Sequence, residues 1–184
     1  WVATTFSTVD EVEAALANTE IVAKSAGEGL GVSLLHWIIG DAKRSIVVEM
    51  MADGLHVYDD PVDTLANQPT FPWHLENLRT YITASSDFPQ AATWRGAELT
   101  PYGAGAGMRG IPGDCYSTSR FVKAAYLNAN YPQKDTEAEN VIRMFRSLEG
   151  VGMVEGASKM GDGSFEKTVY TGCFSGRTGT YYYS

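Results

Sequence analysis

Cysteine is scarce in this chain: its 184 residues include two, Cys115 and Cys173. Two thiols at this length do not make a disulfide framework. No CxxC or HExxH pattern occurs, and the three histidines, His36, His56 and His74, are scattered. That argues against a structural zinc site, which needs clustered ligands. Basic residues are also few: 14 Lys and Arg face 22 Asp and Glu, giving a formal net charge of −8 and a pI near 4.8. Nucleic acid and anionic membrane are poor partners for such a surface, because phosphate binding needs grouped Lys and Arg. No apolar run approaches the length of a membrane span. Residues 1–20 are acidic and lack the small-residue cleavage site of a signal peptide. There is no internal repeat and no low-complexity stretch.

What is present is an ordinary globular composition, 44% hydrophobic, at a length that supports one domain with a core. Thr8-Val9-Asp10-Glu11 is a capping box and predicts a short helix over Val9 to Ala17, with Val9, Val12 and Leu16 on one face. Leu34 to Gly40 is a continuous apolar run that reads as a buried strand. Ser45 to Met51 is its partner, and Leu55 to Tyr58 a third strand after the Asp53-Gly54 turn. Short turns between the three imply an antiparallel meander. Pro72 to Ile82 reads as a helix with proline in its first turn. Residues 83–113 are rich in Ser, Pro and Gly and read as a long irregular connection, of the kind that serves function or assembly. Its neighbourhood carries Trp73, Phe88 and Trp94, apolar anchors suited to an interface. Helices are expected over Ser117 to Asn128 and, behind a second capping box at Thr136, over Thr136 to Leu148. Glu166 to Phe174 and Thr180 to Ser184 read as closing strands. The chain opens on strand-like Trp1-Val2-Ala3-Thr4 and ends within an aromatic run, Tyr181-Tyr182-Tyr183-Ser184, which suggests a piece of a larger protein.

Several residues could carry chemistry. Asn67 sits at a strand end or turn, where its amide is a neutral donor suited to a developing oxyanion; the plain alternative is an Asn that bonds its own turn. Arg120 lies near the start of a helix, against the favourable dipole direction, which invites an anionic partner, Asp114 among them; the plain alternative is a surface Arg. Gly105-Ala106-Gly107-Met108-Arg109-Gly110 fits GxGxxG, but Pro112 and Gly113 follow where a dinucleotide site needs a helix, so it reads as a backbone-shaping loop. Cys115 precedes a helix start, where thiolates are favoured, yet no histidine lies nearby in sequence to act as its base. Cys173 reads as a small buried hydrophobe, and His36 and His56 as packed strand residues.

Two stretches together resemble the choloylglycine hydrolase family of N-terminal-nucleophile amidases, which includes bile salt hydrolases and penicillin V acylases. One runs Asn67-Gln68-Pro69-Thr70-Phe71-Pro72-Trp73-His74-Leu75-Glu76-Asn77-Leu78; the other runs Gly110-Ile111-Pro112-Gly113-Asp114-Cys115-Tyr116-Ser117-Thr118-Ser119-Arg120-Phe121. The resemblance covers nearly the whole chain. It implies an α+β fold, part of a four-layer αββα sandwich with antiparallel sheets. It implies that Asn67 contributes to the oxyanion hole and that Arg120 positions the nucleophile and lowers its pKa. The family's nucleophile is a cysteine at the mature N-terminus, and this chain begins with Trp1. Residues 1–184 are accordingly expected to be a single partial domain, lacking the nucleophile portion and the last C-terminal strands. The implied activity is cleavage of the amide between a bile acid and glycine or taurine. The alternatives are a penicillin V acylase, a non-catalytic piece or subunit, and a small-ligand binding module. No metal or organic cofactor is implied. The implied parent is a cytoplasmic bacterial homo-oligomer, a tetramer, with a small-molecule amide substrate and neither nucleic acid nor membrane as partner.

Overall fold

The Thr8 capping box forms as its spacing requires. The Thr8 hydroxyl accepts the Glu11 N–H at 3.3 Å and Glu11 Oε2 accepts the Thr8 N–H at 3.1 Å, starting α2 (Val9–Leu16). The structure, a computed structural model, describes residues 1–25, 27–29, 31–33 and 35–184. Val9, Val12 and Leu16 recur at helical spacing and are all buried, as the sequence pattern demanded.

The helix packs on a three-stranded antiparallel meander of β1 (His36–Gly40), β2 (Ser45–Met51) and β3 (Gly54–Asp59). Leu34, the expected start of the first strand, lies outside the described residues, and Leu35 precedes it. In β2, Ser45 to Glu49 are buried without alternation, because both faces of this central strand are covered. Ile46 and Val48 join Val9, Val12 and Leu16 in one core. Val47 points the other way and packs with Phe71, Phe121 and Ala125. Those residues belong to α3 (Phe71–Leu78) and α4 (Ser117–Asn130), so the sheet lies between α2 and the α3–α4 pair.

Past α3, a 3-10 turn at Arg79–Tyr81 completes the helix expected to reach Ile82. The connection over 83–113 is not wholly irregular. It holds a small hairpin of β4 (Ala92–Trp94) and β5 (Ala97–Leu99), turning at Arg95, whose φ is +57. Its strands are too short for a period-two pattern, and Arg-Gly is not one of the strong hairpin dipeptides. The hairpin stands away from the core: Trp94 is 74% exposed and Phe88 57%. After α4 come α5 (Glu137–Glu149), with Thr136 as its N-cap, and a closing hairpin of β6 (Gly172–Ser175) and β7 (Thr180–Tyr183). The strand expected from Glu166 is confined to its last residues. The opening segment is also different from its strand-like reading, since Val2–Thr5 is one helical turn, α1. Alternation over four residues is too weak a signal to override local helical bonding.

Candidate functional site

The site assembles at the junction of β3, α3 and α4. Beyond β3 the chain turns at Asp60, a buried carboxylate that accepts the Val62 N–H at 3.0 Å and the Thr64 N–H at 2.9 Å. Burial raises the Asp60 pKa against the pull of those N–H groups. Asn128 of α4 donates to the Val62 carbonyl at 2.8 Å and fixes this loop to the helix. Leu65 and Ala66 then pack on the Phe71–Phe121 core, and the next residue, Asn67, comes out at the surface. Asn67 thus stands in the turn before α3 and not at a strand end, since β3 stops at Asp59. The Asp60 loop separates the two, and its side-chain-to-backbone bonds have no strong sequence signature.

Arg120 reaches the same point from the first turn of α4. Its Nη2 donates to Asn67 Oδ1 at 3.3 Å, across 53 positions of sequence, and its Nε donates to the Cys115 carbonyl at 3.1 Å. A guanidinium can only donate, so it must meet the amide oxygen. That contact settles the orientation of the Asn67 amide and leaves its two Nδ2 protons facing away from Arg120. A cation on the oxygen also polarises the amide and strengthens Nδ2–H as a donor. Asn67 is exposed and Arg120 half-buried, so the pair meets at the surface.

Asp114, expected as a carboxylate partner for Arg120, is engaged elsewhere. It accepts the Tyr116 N–H at 2.9 Å and the Ser119 hydroxyl at 2.8 Å, and the Tyr116 N–H, then Ser119, hold its pKa below the usual carboxylate range. It caps α4, whose N-cap residue Tyr116 offers no side-chain acceptor. Cys115 is a free, half-buried thiol whose carbonyl is the Arg120 anchor. Cys173 is also free, and burial pushes its thiol up. The Gly105–Gly110 segment is a loop with positive φ at Gly105, Met108 and Gly110, and the next helix begins only at Ser117. It provides no helix N-terminus for a phosphate. No cluster of three or more His, Cys, Asp or Glu able to hold a metal occurs among the described residues.

The turn that follows Asn67 helps line an apolar groove of about 420 Å³, bordered by Ile21, Val22, Trp37, Met50, Pro69 and Thr70. It begins one residue past Asn67 at Gln68. Two residues of this neighbourhood carried no sequence signal of a role. Glu49 and His74 are wholly buried polar side chains that bond to the backbone of the Asn67 turn. Only polar residues at core positions of β2 and α3 could have flagged them.

Residues 1–184 match the family described as linear amide C–N hydrolases, choloylglycine hydrolase family. A bile salt hydrolase/transferase of Bifidobacterium longum subsp. longum is 56% identical over 182 residues, covering 99% of this chain and 57% of that protein. A conjugated bile acid hydrolase of Lactobacillus acidophilus is 42% identical over 183 residues, covering 99% of this chain and 58% of its own length. The chain therefore spans a little over half the length of these relatives. Among solved structures, a variant of the conjugated bile acid hydrolase from Clostridium perfringens superposes with a TM-score of 0.91 at 36% identity, covering 100% of this chain and 56% of that one. The penicillin V acylase from Agrobacterium tumefaciens superposes at 0.71 with 17% identity, over 97% of this chain and 48% of the other, which is a likeness of fold. These matches place the α+β, antiparallel fold within the sandwich of those hydrolases. No helix among the described residues is long and apolar enough to cross a membrane.

Proposed function

The chain belongs to the choloylglycine hydrolase family of linear amide C–N hydrolases, and on that premise we propose that it is the greater part of a conjugated bile salt hydrolase. The substrate is a bile acid joined by an amide to glycine or taurine. The observation that carries this reading is the Arg120–Asn67 contact of 3.3 Å, which leaves one amide donor free at the surface next to the turn that lines an apolar groove. Identity of 56% to a bile salt hydrolase/transferase supports bile salt over penicillin V, for which the likeness is of fold alone.

In this mechanism the attacking thiol and the α-amino base come from an N-terminal cysteine outside residues 1–184. An α-amino group titrates near pH 7.7–8.0, well placed to take the thiol proton at neutrality. Sulfur attacks the amide carbonyl and an oxyanion forms. Asn67 Nδ2 donates to that oxyanion, held by the Arg120 contact to its Oδ1. Arg120 has further N–H groups with which to favour the thiolate. The C–N bond then breaks, the amine leaves with the proton carried by the α-amino group, and a thioester remains. Water hydrolyses the thioester to the free bile acid and regenerates the thiol. The apolar groove takes the acyl skeleton.

The exposed arm around Trp73, Phe88 and Trp94 is the assembly surface of a homo-oligomer, a tetramer, in this reading. Two free thiols suit a reducing compartment, the bacterial cytoplasm. The test is hydrolysis of glycocholate and taurocholate, beside penicillin V, by the full-length protein with its N-terminal cysteine exposed. Release of glycine or taurine is expected. A folded protein that cleaves neither conjugate would overturn the proposal.

A further inference from the structure

The turn that carries Asn67 is tied at both ends by the two buried polar side chains, Glu49 and His74. Glu49 stands in the central strand with 0% exposure, and its Oε1 accepts the Phe71 N–H at 2.8 Å. Helix α3 has no side-chain cap of its own at Thr70, so this carboxylate satisfies the first orphan N–H of the helix and faces its positive end. His36 Nδ1 also approaches Glu49 Oε1 to 2.9 Å, at angles outside a hydrogen bond. His74, one turn further along α3, is equally buried, and its Nε2 lies 2.8 Å from the Asn67 carbonyl oxygen. A carbonyl oxygen only accepts, so Nε2 carries the proton and donates. The imidazole stacks on Phe121 with centroids 4.4 Å apart and planes at 19°, which stops it swinging away. Burial holds its pKa below the ordinary value, with the Asn67 carbonyl and Glu49 opposing.

A buried carboxylate and a buried imidazole are expensive fillers where Leu or Phe would pack as well. What they do that an apolar residue cannot is grip the backbone. Arg120 aims the Asn67 side chain, but the reach of its amide is set by where the Asn67 main chain sits. We propose that His74 is a positioning residue for the oxyanion donor, fixing the Asn67 backbone through Nε2–H···O=C, with Glu49 holding the other end of the same turn at Phe71. This rests on the role of Asn67 given above. Displacement of a catalytic group by about 1 Å can cost roughly 10²-fold in rate. Loss of the tether should therefore appear in kcat, whereas KM depends on the apolar groove.

In the full-length protein, His74→Phe keeps the stacked ring and removes the N–H, and His74→Gln keeps an N–H at comparable reach. H74F is expected to lose about tenfold or more in kcat with KM within about twofold of wild type, and H74Q to recover most of the loss. Unchanged kcat in H74F, a loss lying in KM, or H74Q no better than H74F would overturn the proposal. Nitrogen-15 histidine spectra of the wild type give a second reading that needs no variant to fold. His74 should be the Nε2–H tautomer, and an Nδ1–H tautomer would overturn the tether. If the wild-type protein hydrolyses no amide, the functional reading falls on its own, and the tautomer still decides whether the tether exists.

Discussion

Arg120 and Asn67 meet across 53 residues of sequence, guanidinium Nη2 to amide Oδ1 at 3.3 Å. The contact fixes which end of the amide faces Arg120 and which is left to donate elsewhere. In the full-length enzyme, Asn67→Ala should lower kcat by roughly 10²–10³, the cost of one lost oxyanion donor. Arg120→Lys should not substitute, because an ammonium lacks the fork that bonds Asn67 Oδ1 and the Cys115 carbonyl together. Steady-state kinetics on conjugated bile salts check both, and near-wild-type turnover in N67A would remove Asn67 from the mechanism.

Cys115 should be a bystander. Its backbone anchors Arg120 through the carbonyl, a contact that survives loss of the side chain. Cys115→Ala in the full-length enzyme is expected to leave turnover within about twofold, and residues 1–184 expressed alone should show no thiol-dependent hydrolysis. Hydrolysis by the 184-residue polypeptide, abolished by C115A, would move the nucleophile to Cys115.

Phe121 joins the site to the core. It is 0% exposed and packs on Phe71 and on the His74 ring. Phe121→Ala should cost about 3–5 kcal/mol of stability by urea denaturation. A loss below about 1 kcal/mol would mean that the cavity collapses and that the α3–α4 contact is soft.

Asp41 links the β1–β2 turn to the start of α2. It accepts N–H groups from Val9 at 2.8 Å, Lys43 at 2.7 Å and Arg44 at 3.1 Å. These, the Val9 bond first, lower its pKa to about 2. A depressed folded-state pKa gives stability that is present above the unfolded value and fades as pH falls toward the folded one. Asp41→Asn should therefore be less stable than wild type at neutrality, and the gap should narrow between about pH 4 and pH 2. Thermal melts across that range check it, and a gap that stays constant with pH would contradict the linkage.

The projecting hairpin offers a separate test. Trp94 is 74% exposed at its tip region. Trp94→Glu in the full-length protein should shift sedimentation toward smaller species while leaving the thermal midpoint of the protomer within a few degrees. An unchanged oligomer would release this arm from the assembly role.

The local elements of this protein were legible because their causes lie within a few residues. Thr8 and Glu11 satisfy each other's N–H groups, the β-branched run from Ser45 demands a strand, and Asp53-Gly54 turns it back. Asn67 and Arg120 stood out as candidates through the two motifs that carry them. Their contact was not, because 53 residues must first pack before Oδ1 and Nη2 can meet. The Asp114 cap, the small Arg95 hairpin and the helical turn at Val2–Thr5 also escaped the sequence, each depending on hydrogen bonds that leave no strong pattern. Glu49 and His74 lay furthest from view. Their place in the sequence says only that a polar group sits in a strand and in a helix. Tertiary packing brings the strand's carboxylate to the Phe71 N–H and the helix's imidazole to the Asn67 carbonyl, and burial, by removing water as a competing partner, makes those two bonds obligatory.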